Sequence, residues 1–167
     1  NNVTTIYLEA FSGCKGLTEI NFNAINMDDL SIYNHAFAYA GQDSAGIKLT
    51  IGAQVTRIPT YLFDPGSSSS YSPKLVSVEF EEGCQISTLW SNTFGQCLKL
   101  TSVEIPASVT TLKQAAFSKS GITHIEVPET VLYMEQNVFS NCPNLITAVF
   151  KANPYAQFEK TAITEYS

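Results

Sequence analysis

LTSVEIPASVTTLKQAAF, residues 100–117, decides the fold. Its apolar residues are Leu100, Val103, Ile105, Val109, Leu112 and Phe117, and the same spacing returns at once in ITHIEVPETVLYMEQNVF, residues 122–139. Two tandem copies of one unit mean a repeat architecture, and the rest of the chain is read against that unit.

Working outward, six phenylalanines fix the register: Phe11, Phe37, Phe63, Phe94, Phe117 and Phe139. Five residues before each lie Ile6, Ile32, Ile58, Leu89, Leu112 and Met134; eight before lie Val3, Asp29, Val55, Ile86, Val109 and Val131. Only Asp29 breaks the pattern, and Leu30 beside it is expected to turn inward. Three residues after each Phe stand the small residues Cys14, Ala40, Gly66, Cys97, Ser120 and Cys142. Each Phe is followed by an apolar triplet, as in Leu17-Ile20-Phe22, Leu75-Val78-Phe80 and Ile122-Ile125-Val127; the second copy is weaker, with Gly46 ahead of Leu49 and Ile51. The last two members of a triplet are two residues apart, the strand period, so their side chains share one face. Each triplet, Leu100-Val103-Ile105 included, predicts a short strand with its apolar side inward.

The Phe anchors are 26, 26, 31, 23 and 22 residues apart. The two shortest spacings define the unit, and the others carry insertions at 23–28, 41–45 and 64–74. The longest insertion, DPGSSSSYSPK, has the Pro, Gly and Ser content of a flexible surface loop and is not expected to be buried. A unit of about 22 residues lies in the length range of leucine-rich repeats and cannot bury its apolar face alone. The fold expected is mainly β: a leucine-rich-repeat solenoid of about six rungs, at 3–22, 29–51, 55–80, 86–105, 109–127 and 131–150. A parallel sheet is expected on one wall, with short strands or single helical turns (KQAAF, EQNVF) on the other. Residues 151–167 read as a degenerate repeat or a cap, and residues 1–167 as one domain cut from a longer precursor.

Composition bounds the function. Net charge is −6 with 9 Lys+Arg, which argues against nucleic acid, whose phosphates call for a basic face. The hydrophobic fraction is 44%, yet no apolar run approaches the roughly 18–20 residues that cross a bilayer. The chain opens NNVTTIYLEAF, which is not a signal peptide.

LTSVEIPASVTTLKQAAFSKSG and FSNCPNLITAVF resemble the BspA-like, or Treponema-type, leucine-rich repeat: an L-x-x-V-x-I-P strand, a Val-x-x-Ile segment, then Ala-Phe-x-x-Cys. The likeness spans residues 3–150. Pro106 and Pro128 match the proline after the strand, whereas Asn23, Gly52 and Glu81 replace it elsewhere. Where the family usually has Gly after the Ile, this chain has Tyr7, Tyr33, Pro59, Trp90, Lys113 and Glu135. The resemblance implies a secreted or cell-surface bacterial protein, non-enzymatic and adhesive, meeting a protein or glycan ligand on a host or neighbouring cell. It brings no catalytic residues. The runner-up is a structural spacer that displays another domain of the precursor.

Two surface patterns are candidate sites. In register, Glu79, Glu104 and Glu126 form one outward column about 5 Å apart per rung, with Ser102 and His124 in the column beside it. Like charges so placed repel, so the column reads either as an acidic strip for a basic partner or cation, or as solvated glutamates splaying apart. Tyr7, Tyr33 and Trp90 share a position on the other wall. They read either as a stripe for a sugar or protein, or as lateral packing covered by the 64–74 loop. Cys14, Cys97 and Cys142 share a column of small buried residues. Cys97 and Cys142 stand two rungs apart, roughly 10 Å, too far for a disulfide. A Cys84–Cys97 bridge is the remaining option. No cofactor or metal site is implied, the two histidines His35 and His124 lack nucleophile partners, and a monomer is expected.

Overall fold

The computed structural model describes residues 3–66, 68–151, 153, 154 and 156–158. In chain order the strands are β1 (Glu19–Phe22), β2 (Ile47–Ile51), β3 (Leu75–Phe80), β4 (Thr88–Leu89), β5 (Thr111–Leu112), β6 (His124–Val127), β7 (Tyr133–Met134), β8 (Thr147–Phe150) and β9 (Gln157–Phe158). Every pairing is parallel. The sheets are β1-β2-β3, β4-β5-β7-β9 and β6-β8. The triplet strands β1, β2, β3, β6 and β8 lie on a first wall, and the two-residue strands of the Val-x-x-Ile segments on a second. The register stacks like on like: Ile20 faces Leu49 and Leu49 faces Val78, so inward residues build continuous columns. This is the expected leucine-rich-repeat solenoid.

One hydrophobic core runs through all six rungs. Phe63, Phe94 and Phe117 are wholly enclosed, and Leu30 is buried beside exposed Asp29, as the sequence expects. The small residues after each Phe let neighbouring rungs approach: Ala40, Cys97 and Ser120 are fully buried. The Phe rings stack along the axis in two sets. Phe11, Phe37 and Phe63 lie at 4.9 and 5.1 Å, and Phe94, Phe117 and Phe139 at 5.6 and 5.5 Å.

Four local expectations need correction. Where single helical turns were expected around Phe, the chain alternates right- and left-handed residues. Positive φ recurs two residues before Phe, at Glu9, His35, Tyr61, Asn92, Ala115 and Asn137, and two after it, at Tyr39, Gln96, Lys119 and Asn141. The hydrogen bonds explain why. The N–H groups of Phe94 and Gln96 donate to Ala116 and Ser118 of the next rung, while those of Thr93 and Cys97 close local turns on Trp90 and Phe94. A helix would direct every N–H along its own axis and leave none for the neighbouring rung.

Second, residues 101–105 keep the expected alternation, with Val103 and Ile105 buried, but do not form a ladder strand. The segment is tied to the following rung at its start, where Thr123 N donates to Thr101 O at 2.9 Å, and diverges from it towards Glu104. Glu79, Glu104 and Glu126 would stand side by side in a closed ladder, and their repulsion acts against closure.

Third, the 64–74 insertion is not simply a surface loop. Asp64 and Ser72 are buried, and a single 3-10 turn spans Ser69–Tyr71. Its Pro and Gly content signals a turn, but the buried ends follow from hydrogen bonds that sequence spacing does not reveal. Fourth, the Val-x-x-Ile segments of the first three rungs are not strands. There the Asp29 carboxylate accepts the Thr60 N–H at 2.9 Å and pairs with Arg57, so a side chain replaces part of the ladder.

These differences meet at one place. Among the described residues no backbone hydrogen bond joins rung 55–80 to rung 86–105, and the Phe stack skips from Phe63 to Phe94. Side chains close the seam instead. Gln96 Nε2 donates to Asp64 Oδ1 at 3.0 Å and to Gly66 O at 2.5 Å, Ser72 Oγ donates to Gln96 O at 2.9 Å, and Arg57 lies 4.6 Å over the Trp90 ring. The molecule is two three-rung stacks sharing a core.

Candidate functional site

The first wall carries the acidic column. Pairing places Asn21, Thr50 and Glu79 in one outward row, with Glu19, Lys48 and Ser77 beside it. Across the break, Glu126 faces Val149 and His124 faces Thr147. Glu104 stands between the two sheets and borders a groove on each side. One, of about 300 Å³, is lined by Glu79, Phe80, Glu104 and Pro106. The other, of about 530 Å³, gathers Ser102, Glu104, His124 and Glu126. The opened ladder therefore brings all five first-wall candidates onto one grooved surface.

Glu79, Ser102, Glu104, His124 and Glu126 are all exposed. Lys151 pairs with Glu126 at 3.4 Å, both about half exposed, an ion pair of small worth at a solvated surface. Glu79 and Glu104 have no cationic partner within ion-pair distance among the described residues. The acidic strip is thus strongest at the seam. No group of three or more His, Cys, Asp or Glu among the described residues stands close enough to hold a metal ion.

The aromatic candidates lie on the second wall and do not act together. Tyr7 and Tyr33 are 80% and 73% exposed, so neither is packed laterally or covered by the 64–74 loop. That loop lies instead against the turn wall, where Tyr71 meets His35 at 5.8 Å and Tyr39 at 5.1 Å. Trp90 is separated from the tyrosines by Pro59, and the Arg57 guanidinium covers one face of its ring. Sequence reasoning read the columns but missed Arg57. The signal was available, since Arg57 precedes the Ile58 of its rung and so points to the surface that Trp90 occupies.

Two carboxyls of the first stack, Asp64 at the seam and Asp29 one rung away from it, shift in opposite directions. Burial pushes the Asp64 carboxyl above its ordinary 3.8, against the Gly66 N–H and Gln96 amide that bond it. Asp29 also feels burial, but the Thr60 N–H and Arg57 outweigh it and hold the carboxyl below that value. The four cysteines are free thiols, so no Cys84–Cys97 bridge forms. Burial pushes both the Cys97 and the Cys142 thiol above their ordinary value, which disfavours the thiolate.

No curated protein matches the chain significantly. Among solved structures it is similar to a leucine rich cell surface protein from Faecalibacterium prausnitzii, at 21% identity and TM-score 0.57 over 81% of this chain and 32% of that one. It is also similar to the leucine rich repeat protein TpLRR of T. pallidum, at 14% identity and TM-score 0.54, over 80% of this chain and 69% of that one. The chain therefore spans about a third of the Faecalibacterium protein, and these likenesses show the fold. The BspA type leucine rich repeat region matches residues 1–73 and 66–166 in six copies. With that match across almost the whole length and the rung geometry above, the chain belongs to the BspA type leucine-rich repeat family.

Proposed function

We propose that this chain is a non-enzymatic adhesive module at a bacterial cell surface, holding a protein partner against its first wall. The observation that carries this reading is the exposed, grooved acidic strip around Glu79, Glu104 and Glu126. A rigid surface of one charge sign raises the encounter rate with a partner of the opposite sign. The partner is therefore a protein with a basic face, on a host matrix or a neighbouring cell. Family membership and the cell-surface description of the Faecalibacterium relative support the location.

The test is binding of the purified chain to immobilised matrix proteins (fibronectin, laminin, collagen) across a salt series. Binding should weaken as salt rises, and a Glu79→Lys, Glu104→Lys double variant should abolish it. Binding that ignores both salt and these changes would sink the first-wall reading. The second reading is a structural spacer that displays another domain, a role that the stacking of six like rungs along one axis would suit. Failure to bind any of the three proteins would favour it.

A further inference from the structure

The second wall carries a groove that neither the acidic strip nor the aromatic stripe accounts for. It has a volume of about 800 Å³ and runs over β4, β5, β7 and β9. Its floor is set by register. Thr88 faces Thr111, Thr111 faces Tyr133, and Tyr133 faces Gln157, so the four side chains form a straight column along the stack. Parallel strands place these groups at roughly 4.8 Å intervals. Tyr133 is 50% exposed, which leaves a ring face open beside hydroxyl and amide groups.

Along one edge runs a fixed ion pair. Lys113 Nζ donates to Glu135 Oε1 at 2.5 Å, and Glu135 Oε2 accepts the Gln114 N–H at 3.0 Å. The two charges cancel, so the groove offers no net charge to an ionic ligand. Both groups keep unused hydrogen-bonding capacity: two N–H on the ammonium, further lone pairs on the carboxylate. Because the backbone already holds the carboxylate, a ligand would meet these groups without first ordering them.

An open aromatic face, a line of hydroxyl and amide groups, and a self-neutralised ion pair match one ligand chemistry. A pyranose ring has an apolar C–H face that stacks on an aromatic plate and a rim of hydroxyls that both donate and accept. A column spanning four rungs suits a linear chain of such rings. A basic or acidic peptide would leave its charge uncompensated here. We infer that the groove over Tyr133 binds a neutral, linear polysaccharide lying along the rungs. This surface is separate from the first wall, so the inference stands whether or not a protein partner binds there.

The test titrates the whole chain with cellohexaose, chitohexaose, mannohexaose and laminarihexaose by calorimetry. At least one should bind saturably. Tyr133→Ala should weaken that binding about ten-fold, the scale expected for loss of one stacked aromatic. Tyr133→Phe keeps the ring and should change it less than about three-fold by the same arithmetic. Ile146→Ala, at an exposed apolar side chain outside the groove, should change nothing. Saturation-transfer NMR on the unmodified chain should also show the bound sugar's ring protons against an aromatic side chain, which keeps the test independent of how any variant folds. Binding of none of the four, insensitivity to Tyr133→Ala, or tighter binding of a hexagalacturonate than of any neutral sugar would overturn the inference.

Discussion

The two halves of this solenoid hydrogen-bond on opposite walls. The first three rungs close a three-stranded ladder on the first wall and leave their second-wall segments irregular. The last rungs continue a ladder β4-β5-β7-β9 on the second wall and keep only the β6-β8 pair on the first. The repeat pattern is the same in both, so the inward residues do not cause the difference. Outward residues do. Asp29 and Arg57 take over part of the second-wall ladder in the first half, and three successive glutamates oppose the first-wall ladder around Glu104. A shared core thus tolerates two hydrogen-bonding schemes, because inward packing and outward charge act on different faces of one strand.

The comparison breaks most clearly at the Phe column. Phe117 is wholly enclosed between Phe94 and Phe139, whereas Phe11 stacks on Phe37 from one side only and is 40% exposed. Phe117→Ala should cost about 3–5 kcal/mol in equilibrium urea unfolding, the range for truncating an enclosed aromatic. Phe11→Ala should cost about 1 kcal/mol, the typical value for a single substitution. Equal costs would mean that the first rung is as well packed as the fifth.

The seam is the next test. Removing the Gln96 amide strands the Gly66 carbonyl and leaves the buried Asp64 oxygen with the Gly66 N–H alone. Gln96→Ala should therefore cost about 1–3 kcal/mol, the price of leaving a buried polar group unpaired. Gln114→Ala, at an exposed turn position, should stay within about 0.5 kcal/mol of the parent. Hydrogen exchange sharpens the point: Gln96→Ala should speed exchange of amides flanking the seam and leave those between Phe117 and Phe139 protected.

What was legible in the sequence follows from which atoms carry the information. Inward columns repeat at fixed offsets from Phe, so the rungs, the core and the inward turn of Leu30 could all be read. The left-handed residues were invisible because Glu, His, Tyr, Gln, Ala and Lys occupy positions where glycine would have announced positive φ. The seam was invisible because Gln96–Asp64 and Arg57–Trp90 join residues 32 and 33 positions apart with no repeat partner elsewhere in the chain. The Tyr133 groove was missed because its position holds Thr5, Ser31, Arg57, Thr88 and Thr111 in the other rungs, so no aromatic column pointed to it.

Two perturbed carboxyls, Asp29 within the first stack and Asp64 at its seam with the second, carry pH signatures of opposite sign. The Asp64 pKa is raised in the folded state, so the folded chain holds its proton longer than the unfolded chain. Stability then falls as pH rises from about 3.8 through the folded value, and the penalty is complete above it. The Asp29 pKa is lowered, so its contribution is present above about 3.8 and is lost as pH falls through the folded value. In melts from pH 3 to 7, Asp64→Asn should flatten the loss on the rising side. Asp29→Asn should remove stability at pH 7 and leave pH 3 little changed. The same slope in both variants would mean that the seam does not bury Asp64.

The smallest effect is also the most diagnostic of the open ladder. If Glu79, Glu104 and Glu126 repel one another across the two grooves, neutralising the middle one relieves two neighbours at once. Glu104→Gln should then leave stability unchanged or raise it by up to about 0.5 kcal/mol, and added salt should erase the gain. With the repulsion gone, the 101–105 segment has less reason to stand away from β3 and β6. Amides of Val103 and Ile105 should exchange more slowly in the variant than in the parent. A loss of stability instead would mean that Glu104 answers a positive group, and the acidic strip would have to be rebuilt around that pair.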